Sequence, residues 1–236
     1  TIHLLEGTYS PSLTGETFPI IMLSHIDLIG AGEDVTILDA EQAGRVITME
    51  NCTNNTITDL TITGGLEEGE GGGMRLYKTN PTLTHVNIVN NTSETQGGGG
   101  MYLEFSNPTL THMTIVNNTS GWDGGGMYLK NSNPTLTHVT IANNTLEHHG
   151  GGGMRLYVSN PTLTHVTIEN NTAAGSGGGM YLQYSNPTLI HVTITDNTSD
   201  SNGGGMYLYD SNPILTHLTI SDNTAYNSGG MYIRDS

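Results

Sequence analysis

Positive charge is scarce in this chain. Only 6 Lys plus Arg stand against 22 Asp plus Glu, a formal net charge of −16 over 236 residues. A nucleic acid demands a basic footprint, so this partner class is argued against, and so is an anionic membrane surface. Neutral surfaces, neutral glycans or cations remain as partners. Cysteine is nearly absent too. Cys52 stands alone, which rules out an internal disulfide and leaves the redox compartment unmarked. No apolar run is long enough to insert into a bilayer, and no signal peptide opens the chain. Both ends cut through a pattern: Thr1 begins inside the strand-like run Thr1-Ile2-His3-Leu4-Leu5, and Ser236 matches Ser211, which precedes an Asn-Pro. The chain is therefore expected to be an excerpt.

What is abundant is glycine, with 32 residues, together with Asn and Thr. They recur in a fixed order. The Met of each Gly-Gly-Met marks a period, at Met74, Met101, Met127, Met154, Met180, Met206 and Met231. Spacings of 25 to 27 residues announce a stacked architecture. Helical solenoids are disfavoured, because the apolar residues alternate: Met127 and Leu129, then Leu136, then Val139 and Ile141. Tyr128, Thr135, Thr137 and Thr140 lie between them and suit the outer face of a strand. A Gly run, an Asn-Pro and an Asn-Asn-Thr punctuate each unit as bends. A leucine-rich horseshoe needs denser Leu, and a propeller blade needs four antiparallel strands and about 40 residues. The reading is an all-β, single-stranded, right-handed parallel β-helix. A lone coil cannot offset the entropy of ordering its residues, so coils must stack at about 4.8 Å to line Met on Met and Leu on Leu. Residues 1–65 read as irregular coils and 66–236 as regular coils of the same domain.

The Gly-Gly-Gly-Met and Ile115-Val-Asn-Asn118 elements resemble the Gly-Gly-apolar and Phe-x-x-Asn repeats of polymorphic outer-membrane adhesins. The whole chain is similar to the pectate-lyase-like β-helix superfamily of secreted bacterial proteins. This resemblance implies a secreted or cell-surface location. That superfamily holds lyases, hydrolases, epimerases, adhesins and inert stalks, so function rests on the site and not the fold.

Function is sought where the units differ. The variable stretches 66–70, 93–96, 120–123, 146–149, 173–176, 199–202 and 225–228 stack into one rim, which holds the only Trp, Trp122. Beside it, the residue after each Met is expected to face outward: Arg75, Tyr102, Tyr128, Arg155, Tyr181, Tyr207 and Tyr232. Tyr and Arg at this spacing suit stacking on sugar rings. The bland alternative is that tyrosine rings simply stack along the ladder. Binding of a glycan or a surface protein at this face, without catalysis, is the leading expectation. The alternative is a polysaccharide-active hydrolase or lyase, with Asp123 and Glu147 as a carboxylate pair and His148, His149 and Glu94 nearby. No residue is assigned a catalytic role.

Three further features carry readings. Glu67, Glu68, Glu70 and Glu94 form an acidic group that is a weak candidate for Ca²⁺, although their spacing matches no known ligand set; no other cofactor is expected. His85, His112, His138, His165, His191 and His217 take one position per coil and read as duplicated corner residues. Stacking them implies that stability falls as pH drops below about 6.5, because neighbouring imidazolium ions repel. Ranked Thr-x-Thr triplets such as Thr82/Thr84 and Thr109/Thr111 resemble an ice-binding face, though ordinary strand chemistry explains them. Open parallel edges at both ends give a last alternative, end-to-end self-association into a filament.

Overall fold

A computed structural model describes all residues, 1–236. The chain winds into a parallel β-solenoid of about 9 turns, each of about 26 residues. Every strand pairing is parallel, and the strands fall into sheets of fourteen, seven and nine strands. The nine-stranded sheet begins at Ile20–Ile21 and Ile47–Glu50 and then takes in each Met-led strand from Met74–Tyr77 to Met231–Arg234. The seven-stranded sheet is the short Thr-led column, running from Leu66–Glu67 to Thr224–Asn227. Register is in phase: Met101 lies on Met127, Tyr102 on Tyr128 and Leu103 on Leu129. The coils are stacked as the repeat demands.

Alternation decides which side chains fill the core. Met127, Leu129, Leu136, Val139 and Ile141 are each at most 1 % exposed. Each touches its counterpart in the coils above and below, so one apolar cluster of 39 buried residues runs from Phe18 to Leu208. The irregular coils of residues 1–65 share this core through Leu38, Val46, Ile47 and Ile57.

The corners have a common solution. The histidine that closes each Thr-Leu-Thr-His run adopts a left-handed backbone, as at His138 with φ of 54°. This reverses the alternation, so Leu136 and Val139 both point inward although only two residues separate them. The first Asn of each Asn-Asn does the same, as at Asn143 with φ of 54°; Asp196 and Asp222 replace it because Asp also tolerates that region. The second Asn is buried and builds a ladder. Asn118 Nδ2 donates to Asn144 Oδ1 at 3.1 Å and to the Ile88 carbonyl at 3.0 Å. Asn144 repeats this toward Asn171. A buried amide bonded on both sides ties adjacent coils without leaving an orphan polar group.

Candidate functional site

The residues after each Met leave the core on the outer side of the nine-stranded sheet, yet they are not open to solvent as their alternation implies. Tyr102 is 2 % exposed, Tyr207 6 % and Arg155 7 %. The reason is the Gly-rich segment before each strand, which turns back over the row. A Cβ at Gly97 would lie 2.6 Å from the Tyr128 ring, so only glycine lets the chain lie against that ring. The row is thus a covered layer with openings, not a flat aromatic face.

The layer divides in two. Tyr181 stacks on Tyr207 at 4.6 Å and Tyr207 on Tyr232 at 5.4 Å with planes 3° apart, while Arg155 caps Tyr181 at 3.8 Å. These rings are occupied by one another. Tyr102 and Tyr128 instead meet edge to face, 5.3 Å apart at 79°. They line a cavity of about 280 Å³ together with Glu70, Thr95, Gln96, Trp122, Asp123 and Lys130.

The variable rim builds the wall of this cleft. Asp123 N donates to the Gln96 carbonyl at 2.9 Å, and Gly121 N donates to the Ser93 carbonyl at 2.8 Å, so 120–123 lies directly on 93–96. Gly121 is required there, since a Cβ would sit 1.8 Å from the Glu94 carbonyl oxygen. Trp122 projects from this turn and is 45 % exposed. His149 packs against it at 4.2 Å and His148 at 5.6 Å.

Charges inside the cleft are paired. Glu70 accepts from Arg75 Nε at 3.0 Å, Glu104 meets Lys130 at 2.9 Å, and Asp123 meets Arg155 at 3.5 Å. The last pair is close enough to attract but makes no hydrogen bond, which leaves Asp123 Oδ1 and Arg155 Nε without partners. Burial raises the Asp123 carboxyl above its ordinary value, against the opposing pull of Arg155 and His149. Burial pushes the Tyr128 phenol up to about 12, and it raises Tyr102 further with help from the Glu70 and Glu104 carboxylates. Both phenols therefore stay protonated as hydrogen-bond donors at neutral pH.

Several sequence expectations need correction. Glu147 and Glu94 are exposed and line no part of the cavity; the second carboxylate beside Asp123 is Glu70, two coils away and not one. The acidic group does not converge on one point. Glu67 pairs with Arg45 at 3.4 Å and Glu70 with Arg75, so guanidinium groups take the places where a cation would sit. Glu68 accepts the Thr95 hydroxyl through its backbone carbonyl, not its carboxylate. Gln96, Thr95 and Lys130 were not singled out as site residues. Their signal was available, because Thr95 and Gln96 belong to the variable stretch 93–96 and Lys130 takes the outward position three residues beyond Met127.

The histidines form an exposed column of stacked rings, 4.5 to 5.1 Å apart from His85 to His217. At its end His85 faces Asp59, which holds the same left-handed corner. No group of three or more His, Cys, Asp or Glu is arranged to hold a metal ion. Thr82, Thr109 and Thr135 are exposed and in register on the adjoining sheet.

This architecture defines a repetitive solenoid that displays a lateral cleft. The chain belongs to the right handed beta helix region family, whose model matches residues 32–189 and 137–236. No curated protein sequence matches it. Among solved structures it is similar to ORF18 of Geobacillus virus E2, at 13 % identity and a TM-score of 0.44, over 98 % of this chain and 53 % of that one. It is also similar to the catalytic domain of a GH87 α-1,3-glucanase in complex with nigerose (11 % identity, TM-score 0.33, 95 % of this chain, 52 % of that). A third is the A-module of Azotobacter vinelandii mannuronan C-5 epimerase AlgE4 (13 % identity, TM-score 0.29, 98 % of this chain, 88 % of that). The chain spans about half the length of the first two.

Proposed function

We propose that this chain is a rigid β-helix module of a secreted or cell-surface protein that binds glycans in the Trp122 cleft. One observation carries the reading: Trp122, Tyr102 and Tyr128 converge on a single cavity with Thr95, Gln96 and Asp123. Apolar ring faces beside a few convergent polar groups are what a pyranose ring requires, since its C–H face stacks and its hydroxyls bond. The core ladder keeps this wall in place without a ligand, so little ordering entropy opposes binding. A glycan array tests the reading. Wild-type chain is expected to bind, and Trp122→Ala to bind at least tenfold more weakly at unchanged melting temperature; an array without hits defeats it.

A second reading, hydrolysis of the bound glycan, is favoured by one feature. Asp123 and Glu70 line the same cavity from positions two coils apart, which separates their backbones by about 10 Å at the usual strand spacing. That is the order of separation used for inverting hydrolysis, and a carboxyl raised by burial suits the acid role. Product analysis on any bound polysaccharide separates the two: new reducing ends support hydrolysis, and intact polymer supports binding alone.

A further inference from the structure

Four of the six cations of this chain lie along one rim. Arg45, Arg75, Lys130 and Arg155 each face a carboxylate there, on Glu67, Glu70, Glu104 and Asp123 respectively. The rest of the molecule holds an excess of acid with almost nothing to balance it. The cleft is therefore the region of a strongly anionic protein where cations come nearest to balancing the acid.

Pairing of this kind has a consequence for ligands. A hydroxyl both donates and accepts, so it can bond to a carboxylate, to the Gln96 amide, to the Thr95 hydroxyl and to the Lys130 ammonium in turn. A carboxylate on the ligand only accepts. It would enter beside Glu70 and Asp123 where each cation is already engaged, and against the field of the whole chain. Asp123 sharpens the choice. It is 8 % exposed, lines the cavity, and has an oxygen with no hydrogen-bond partner. A buried acceptor without a donor is costly, and a ligand hydroxyl relieves that cost where a ligand carboxylate deepens it.

Building on the glycan-binding reading, we propose that the cleft selects uncharged, hydroxyl-rich sugars over uronic acids, and that Asp123 is a residue that sets this choice. The selection works by mismatch as much as by attraction, because an acidic sugar leaves at least two carboxylates facing each other in a half-buried site.

Affinity electrophoresis of the whole chain tests this with two neutral polymers, a soluble β-glucan and a mannan, and two acidic ones, polygalacturonate and alginate, at low and at physiological salt. Wild-type chain is expected to bind at least one neutral polymer ten or more times tighter than either acidic one. Asp123→Asn is expected to weaken the neutral interaction at least fivefold and to narrow the gap to polygalacturonate. Glu94→Lys reverses a charge on an exposed rim residue that lines no part of the cavity, so it keeps the test decisive if the buried variant fails to fold. It is expected to admit polygalacturonate while neutral binding changes less than threefold. Equal binding of acidic and neutral polymers by the wild type overturns the selectivity and leaves the glycan reading intact. A folded Asp123→Asn that shifts neither class overturns the role of Asp123. Binding of none of the four by wild type and both variants removes the inference and the reading beneath it.

Discussion

The outer layer of the nine-stranded sheet solves one problem in two ways. In the later coils, Tyr181, Tyr207 and Tyr232 lie parallel and satisfy each other. In the middle coils, Tyr102 and Tyr128 are turned to an edge-to-face contact and share a cavity with Trp122. The template position is identical, so the difference comes from the neighbours. Beside Tyr181 and Tyr207 the rim reads Ala173-Ala-Gly-Ser176 and Ser199-Asp-Ser-Asn202, which offer nothing large, and Tyr226 in the last stretch is 84 % exposed. Beside the cleft the rim reads Ser120-Gly-Trp-Asp123 and Leu146-Glu-His-His149, which supply a wall. A repeat makes a ladder by default, and a few unrepeated residues make a site.

The comparison can be broken most forcefully at Gly121. Gly121→Val drives a side chain into the Glu94 carbonyl, and a loss of about 3 kcal/mol or more is expected in urea denaturation, because backbone has to move. A loss below about 1 kcal/mol would mean that the two rim turns are not in contact. Alkaline pH comes next. The Tyr128 phenol is raised to about 12, so the folded chain keeps a proton that the unfolded chain releases near 10. Stability is full below about pH 10 and declines as pH rises toward 12, by roughly 2–3 kcal/mol for this one group. Denaturation midpoints at pH 8 and 11 should differ in the wild type and differ less in Tyr102→Phe/Tyr128→Phe; equal slopes would show that the rings are not buried.

Binding gives a smaller but sharper contrast. Tyr128→Ala is expected to weaken glycan binding about tenfold, or ~1.4 kcal/mol, whereas Tyr207→Ala leaves binding within twofold and lowers only the melting temperature. Equal binding losses in both would erase the distinction between the halves. The smallest effect is expected at Val158. This exposed, β-branched residue holds φ of 51°, where the equivalent residue one coil earlier is Asn131. Val158→Asn should raise stability by about 1 kcal/mol, because Asn tolerates that conformation. Calorimetry showing no rise would place the strain elsewhere.

Much of the fold was legible. Met spacing gave the coil length, alternation gave the inward residues, and Gly, Asn-Pro and Asn-Asn marked the bends. The left-handed histidine corner was visible only as a slip between Leu136 and Val139, since periodicity records that a strand bends and not which φ bends it. The site was half legible. Trp122, Asp123 and the tyrosines stood out as unrepeated or chemically apt. Their burial did not, because alternation assigns a side chain to a face and is silent about a glycine loop folded over that face. Pairing Asp123 with Glu147 failed for a related reason: residues in one variable stretch leave the rim in different directions, and Glu147 leaves toward solvent.

What the residues determined by themselves is the solenoid: each coil buries its apolar side chains only against copies of itself, so a repeat of about 26 residues with this alternation has one good way to stack. Tertiary structure alone decided where that stack opens. The cleft arises from differences in loop direction and charge pairing between coils far apart in sequence, and those distances exist only after the chain has wound.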